Sequence, residues 1–288
     1  MATATDTRRS GHHPAPRFHR RAPPTWRLTK RPSPGSDALL SFQDHFSSRA
    51  GEYARFRPRY SPALFDLVAA LPARRGLALD VGTGNGQAAV GLAEHFEKVI
   101  GIDGSAAQLE RAKPHPRVEY RIGRAEETGM PDGSVDLVTV AQAAHWFDLD
   151  RFYAEARRVA AKGGAVALWS YDDPVIVGDA DSDALLQEFN RGTMGPWWPR
   201  DRAKVGLGYA QLPFPFDEVP VPTMTLSQDW TRAELAGYAR SWSSVSRYLT
   251  ERGEDPVIDF ERALTRTWPD AQQRKRIEWP LAVRAGRL

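Results

Sequence analysis

The stretch Leu79-Asp-Val-Gly-Thr-Gly-Asn-Gly-Gln87 constrains this chain more than any other. It joins a short apolar run, Leu77 to Val81, to a helical pattern through Ala88–Glu94. Glycines alternate at 82, 84 and 86, so the backbone can turn tightly and approach a ligand without Cβ interference. The helix start behind the turn offers unpaired N–H groups and a partial positive charge. Twenty-one residues after Gly82, a second apolar run, Lys98 to Asp103, ends in a carboxylate. An acid at that point is placed to accept both hydroxyls of a ribose. A strand–turn–helix–strand unit with a nucleotide-bearing ligand at its turn follows from these features together.

The spacing narrows the ligand. A dinucleotide fingerprint needs G-x-G-x-x-G, but here the third glycine comes one residue early and Gln87 fills its slot. Asp80 precedes the first glycine by two positions. A carboxylate is awkward beside a pyrophosphate, whereas it suits a ligand carrying an amino group. No Gly-Lys-Ser/Thr follows, so a phosphate-binding P-loop is excluded. A nicotinamide-type site remains the competitor.

Strand and helix patterns alternate on either side of this motif. Ser61-Pro62 reads as a helix start, with an apolar face at Leu64, Phe65, Leu67, Val68 and Leu71. Ser105 caps a helix through Arg111, and Arg117–Ile122 alternates as a third strand. Val135–Val140 is a fourth strand, in which Asp136 is expected to make structural hydrogen bonds. A helix over Asp150–Ala161 and a fifth strand over Ala165–Trp169 follow. Buried strands without polar alternation suit a parallel sheet covered on both faces. The expected fold is therefore α/β: a Rossmann-like, seven-stranded, mostly parallel sheet with helices on both faces and an antiparallel last strand. A small helical insertion would sit on the substrate side. The pattern predicts a cofactor-binding core over 39–172 and an insertion or cap over 174–214 and 229–268. Closing strands are expected over 217–227 and 275–284, with Pro280 marking an unpaired side or a bulge.

Charge divides the chain unevenly. Residues 1–35 hold eight Lys/Arg against one acid, so the rest of the chain is net −4 although the whole is +3. The first 38 residues, rich in Arg, Pro, Ser and His, read as a disordered basic extension. A nucleic-acid arm or a transit peptide is the alternative, and the prolines oppose the amphipathic helix a transit peptide needs. An acidic folded part makes a nucleic-acid substrate unlikely. The absence of cysteine excludes disulfides, thiolate metal sites and a cysteine nucleophile. No stretch approaches the roughly 18–20 apolar residues of a membrane span, and no apolar secretory segment follows the early arginines. A cytoplasmic monomer or homodimer is expected.

Asp80-Val-Gly82-Thr-Gly84-Asn-Gly86, with Asp103 ending the next strand, resembles the class I S-adenosylmethionine-dependent methyltransferases of the methyltransferase type 11 superfamily. Tyr53-Ala-Arg-Phe-Arg57-Pro-Arg-Tyr60, Ala144-His-Trp-Phe-Asp148 and Ser241–Tyr248 are similar to the trans-aconitate methyltransferase-like branch. The resemblance implies S-adenosyl-L-methionine as cofactor, S-adenosyl-L-homocysteine as product, and no metal. Gly82, Thr83, Gly84 and Gly86 would cradle the cofactor, and Asp80 would act near its amino group. Asp103 would hold the ribose, with Gly104, Ser105, Ala125 and Glu126 around the adenine. Gln142 and Ala143 would line the methionine part. Tyr53 and Arg57 would fold over the cofactor, Arg57 near its carboxylate.

Methyl transfer from a sulfonium asks mainly for in-line positioning of the acceptor, worth on the order of 7–11 kcal/mol. A carboxylate acceptor needs no base. A hydroxyl would benefit from one, and His145 is the candidate catalytic residue. The alternative role for His145 is a hydrogen-bonded wall that orients substrate. Trp146 and Phe147 are expected to divide, one facing the site and one packing inside. Trp197, within Met194-Gly-Pro-Trp-Trp-Pro-Arg200, is a candidate lid residue or part of a packed loop. Arg240 and Arg247, seven apart, would share a face of a continuous helix and clamp an acidic small-molecule acceptor, or simply be solvated. A cofactor-binding protein without turnover is the non-enzymatic alternative.

Overall fold

The computed structural model describes Met1 and residues 56–199, 202 and 208–288. The basic extension and Tyr53 lie outside the described residues. The chain divides into two units, Met1–Ser41 and Phe42–Leu288, and all the described helices and strands belong to the second.

Helix α1 (Pro62–Ala69) starts at an extended Ser61 with proline in its first turn, and it buries Leu64, Phe65 and Val68. Strand β1 (Leu77–Val81) leads through the glycine turn into α2 (Gln87–Leu92) and β2 (Lys98–Asp103). Ser105 caps α3 (Ala106–Leu109) through its side chain, and β3 (Val118–Ile122) comes next. Then come β4 (Val135–Ala141), α4 (Leu149–Val159) and β5 (Ala160–Tyr171). Strand β5 begins directly where α4 ends. Its first residue, Ala160, pairs with Val135 across a register shift, so the strand starts five residues before the expected Ala165 and takes in Lys162-Gly163-Gly164.

Strands β3-β2-β1-β4-β5 pair in parallel in that order. The order reverses between β1 and β4, which opens a crevice at the carboxyl ends of those strands, where ligands bind in such sheets. Alternate strand residues face opposite sides. Ala78, Val99, Leu137 and Ala165 pack with α1 and α2, while Leu79, Ile100, Val138 and Val166 pack with Phe152 and Ala156 of α4. Both faces of the parallel half are thus covered. Asp136, 3% exposed, accepts from the N–H groups of Gly76 (2.8 Å) and Leu77 (3.0 Å), the structural role expected of it.

The second half of the sheet is built around one strand, β9 (Lys275–Arg287). One edge of β9 pairs antiparallel with β5 and with the two-residue β6 (Val175–Ile176). Its other edge pairs antiparallel with β7 (Asp217–Val219) and β8 (Met224–Trp230). The short strands β6 and β7 make the sheet nine-stranded where seven strands are expected. Pro280 accepts from the Asp172 N–H through its carbonyl (2.9 Å). A strand residue's N and O face the same neighbour, so the missing proline N–H falls in the break between β5 and β6.

The remaining elements lie beside this half. Helix α5 (Ala180–Gln187) runs into a wider π-type turn over Glu188–Thr193. Helices α6 (Arg232–Arg240), α7 (Ser243–Arg252) and α8 (Val257–Thr267) come after β8. A capping box between Thr231 and Glu234 starts α6. Trp169, Trp268 and Trp279 are fully buried among these elements. Among the described residues, no helix is long and apolar enough to cross a membrane.

Candidate active site

The register of β1 explains the first part of the site. Asp80 lies between Gly101 of β2 and Thr139 of β4. It is wholly buried and accepts from the hydroxyls of Thr83 (2.6 Å) and Thr139 (2.9 Å). Burial, only partly offset by these two bonds, pushes its carboxyl up to about 6. Asp80 therefore braces the glycine turn from below.

The turn itself is shaped by three glycines with different tasks. Gly82 has φ 69°, and a Cβ there would stand 2.6 Å from the Cβ of Ala143 and 3.3 Å from the ring of Phe147. The segment after β4 thus closes against the turn, with Phe147 in turn packed on Phe152 at 5.2 Å. Gly84 has φ 55° with nothing within 4 Å of its Cβ direction. That open side is where a ligand can lie directly on the backbone. Gly86, φ 79°, is held under Tyr120.

Asp103 is fixed by the backbone around it. One carboxylate oxygen accepts from the Gly84 N–H and the other from the Ser105 N–H, both at 2.8 Å. Asp103 thereby joins the glycine turn to the loop after β2. Gly104 and Ser105 continue from it, and Ser105 is spent on capping α3. Ala125 is buried. Glu126 ties its loop to the start of α4, accepting from the Asp148 N–H at 3.0 Å and from Arg124 at 3.3 Å. The Gln87 amide donates to the Pro58 carbonyl at 3.2 Å, which holds the segment after Arg57 beside the glycine turn.

The end of β4 forms the second part. Gln142 takes a positive φ of 58°, donates its backbone N–H to Trp169 (2.9 Å), and donates its amide to the Tyr171 carbonyl (3.2 Å). It opens onto a cavity of about 100 Å³ that also meets Arg57, His145, Trp146, Asp172 and Arg202. Arg57 donates to the Tyr171 hydroxyl. Arg202 stacks on Trp198 with its guanidinium carbon 3.5 Å from the ring centre, and pairs with Asp173. Burial pushes the Asp172 carboxyl above its ordinary range. Of the two aromatics in the Ala144–Asp148 stretch, Trp146 lines the cavity and Phe147 packs on Phe152.

Other expected substrate residues stand elsewhere. Trp197 packs against Tyr248, ring centres 4.9 Å apart, and its neighbour Trp198 is the wall residue. Arg240 ends α6 and Arg247 lies on α7, so the continuous helix that would align them is broken at Ser241-Trp242. Arg240 bridges Asp255 (2.8 Å) and Glu261 (3.1 Å), and Arg247 is exposed. Arg240→Ala is expected to lower stability by about 1–2 kcal/mol, since it strands two partly exposed carboxylates. Calorimetric affinity for S-adenosylhomocysteine should stay unchanged, because Arg240 is not among the residues that line the cavity. Trp198 and Trp242 lie in tracts the sequence marks out. Tyr209, which meets His145 at 3.2 Å, has no such signal.

The turn fits S-adenosylmethionine: an open glycine face at Gly84, a carboxylate at Asp103 held beside it, and an acid below. Among the described residues, no group of three or more His, Asp or Glu is placed to hold a metal ion. The methyltransferase-domain family matches over residues 79–168. A methyltransferase-family protein of Dictyostelium discoideum is 34% identical over 79% of this chain and 87% of its own length. A Mycobacterium tuberculosis protein named as an uncharacterized methyltransferase is 38% identical over 44% of this chain and 53% of that one. A solved structure from Anaeromyxobacter dehalogenans, assigned as a type II methyltransferase, covers 81% of this chain and 98% of its own at 43% identity, with a TM-score of 0.75. With this likeness over most of its length, and the glycine turn and paired acids inside the matched region, the chain belongs to the class I S-adenosylmethionine-dependent methyltransferases.

Proposed function

We propose that the chain transfers a methyl group to an oxygen, carboxylate or hydroxyl, of a small-molecule acceptor held in the cavity beside Gln142. The observation that carries this reading is the cavity itself. It adjoins the strand ends that form the cofactor crevice, has aromatic walls, and holds only about 100 Å³. That lining suits a compact polar head group. Two guanidiniums, an imidazole and a carboxyl provide partners for acceptor oxygens.

When bound, S-adenosylmethionine supplies a methyl group on a sulfonium, open to in-line attack. The chain's own part is to place the attacking oxygen and keep water out. Trp146, Trp198 and Trp242 narrow the cavity. Arg57 and Arg202 orient an anionic head group, and Gln142 is fixed by its bonds to β5 where the two parts of the site meet. Asp103, at the end of β2 beside the glycine turn, would hold the cofactor ribose.

A panel with labelled methyl donor tests the reading, divided between polycarboxylic acids and phenolic or alcoholic acceptors. Transfer to an oxygen acceptor is expected. Transfer confined to amine or carbon acceptors would overturn the oxygen assignment. Tight S-adenosylhomocysteine binding with no transfer to any acceptor would favour a binding protein.

A further inference from the structure

Tyr171 and Tyr238 come from different parts of the fold, the end of β5 and the last turn of α6, yet both line the cavity beside Gln142. Both residues are buried, 6% and 4% exposed. The Tyr171 hydroxyl accepts from the Arg57 guanidinium. The Tyr238 hydroxyl accepts, at 3.2 Å, from the indole N–H of Trp279, which is fully buried in β9. A guanidinium and an indole N–H can only donate. Each phenol oxygen is therefore the acceptor in its bond, and its own proton is left over. Among the described residues, no group accepts either proton. Tyr153, a buried phenol away from the cavity, spends its proton on the Pro213 carbonyl at 2.7 Å.

The Tyr238 oxygen faces the cavity residues. Arg57, Arg202 and the Tyr171 phenol all act on it electrostatically, and all three line the cavity. Burial holds the Tyr238 phenol above the ordinary tyrosine range, so it keeps its proton at neutral pH. Asp172, the cavity's own carboxyl, accepts from the Asp173 N–H at 2.7 Å and from neither phenol. A buried hydroxyl proton is costly without an acceptor. A bound group can supply one. A hydroxyl would bring a further proton to a place that already holds two, whereas an ionised carboxylate brings only lone pairs. The guanidiniums of Arg57 and Arg202 match its charge.

We propose that Tyr171 and Tyr238 are substrate-binding residues whose two O–H groups donate to an ionised carboxylate held in this cavity. That the carboxylate belongs to the methyl acceptor rests on the methyl-transfer reading; the anion site itself does not.

Calorimetric titration of the full chain with benzoate and with benzamide, without a methyl donor, tests the site, and acetate and acetamide repeat the test with a smaller body. Each amide keeps the shape of its acid but replaces one oxygen with an N–H donor. Each acid is expected to bind about 10-fold more tightly than its amide, or better. Tyr171→Phe and Tyr238→Phe remove one oxygen and keep the ring, and each should weaken benzoate binding about 10-fold or more. Tyr153→Phe should leave it within about twofold, since that phenol already has its acceptor. No binding of either acid to the parent, equal binding of acid and amide, or parent-like benzoate affinity in a folded Tyr171→Phe or Tyr238→Phe would each overturn the proposal. If Tyr238→Phe fails to fold because Trp279 loses its partner, Tyr171→Phe decides. Benzoate binding as expected, with no acceptor methylated, would sink the methyl-transfer reading and leave the anion site standing. Methylation of an alcohol or phenol, with no binding of either acid, would do the reverse.

Discussion

Asp103→Ala is expected to bind S-adenosylhomocysteine about 100-fold more weakly, or worse. A ribose diol donating twice to an ionised carboxylate makes two charge-assisted hydrogen bonds. Each is worth about 1.5–3 kcal/mol, so their joint loss falls at about 3–6 kcal/mol. The same carboxylate also orders the Gly84 and Ser105 N–H groups, so the variant loosens the crevice as well as emptying it of an acceptor. Asp103→Asn separates these effects, since its one carbonyl oxygen can keep a loop contact but cannot serve the diol and both loops. Calorimetric titration well below the melting temperature is the measurement. A dissociation constant within threefold of the parent for Asp103→Ala would show that the ribose lies elsewhere.

The second large effect runs in opposite directions for stability and for binding. Asp80 is buried, and its carboxyl rises from 3.8 to about 6 in the folded chain. The folded state thus holds this proton more tightly than the unfolded one. Raising the pH from about 4 through 6 strips the proton and costs stability, and above that range the cost is full. A rise of this size corresponds to about 3 kcal/mol. Asp80→Asn removes the charge and keeps an oxygen and an N–H for the Thr83 and Thr139 hydroxyls. It is expected to melt roughly 5 °C or more above the parent at pH 7.5, with the gap closing towards pH 4. Its affinity for S-adenosylhomocysteine should fall about 10-fold, because Asp80 braces the glycine turn through the Thr83 hydroxyl. Melting curves at several pH values, paired with titrations, read both. A lower melting temperature at every pH would mean that the two hydroxyl bonds outweigh the cost of burial.

The parallel half of the sheet and its crevice were legible because each rests on local signals. Apolar runs of strand length, the Ser61-Pro62 start and the Gly82–Gly86 turn each act within a few residues. The structure places Asp80 and Asp103 at the neighbouring strand ends those signals predict. Position on an element was legible, but the choice of hydrogen-bond partner was not. Nothing local says that Glu126 holds the Asp148 N–H, or that Arg240 turns to Asp255 and Glu261. The helix break at Ser241-Trp242 carries neither glycine nor proline, so the spacing of Arg240 and Arg247 suggested one face where there are two helices. Trp197 and Trp198 are adjacent, and which one meets the cavity depends on Tyr248 and Asn190 across the fold. Tyr209 was invisible for a similar reason. Its backbone conformation is imposed by Arg284, 75 residues further along the chain.

The reliance of four strands on β9 also sets an order of assembly. Strands β5, β6, β7 and β8 all complete their pairing on residues 275–287, which come after every other strand in the chain. During synthesis from the amino end, β5 presents an unpaired edge until that segment emerges. It is a long run, 12 residues, and eight of them are buried in the finished sheet. Exposed apolar edges of this kind template pairing with other chains. The contacts between β5 and β9 span more than a hundred residues, and such long loops slow folding. The interval between translation of β5 and arrival of β9 is therefore when a nascent chain is most open to aggregation and to chaperone capture.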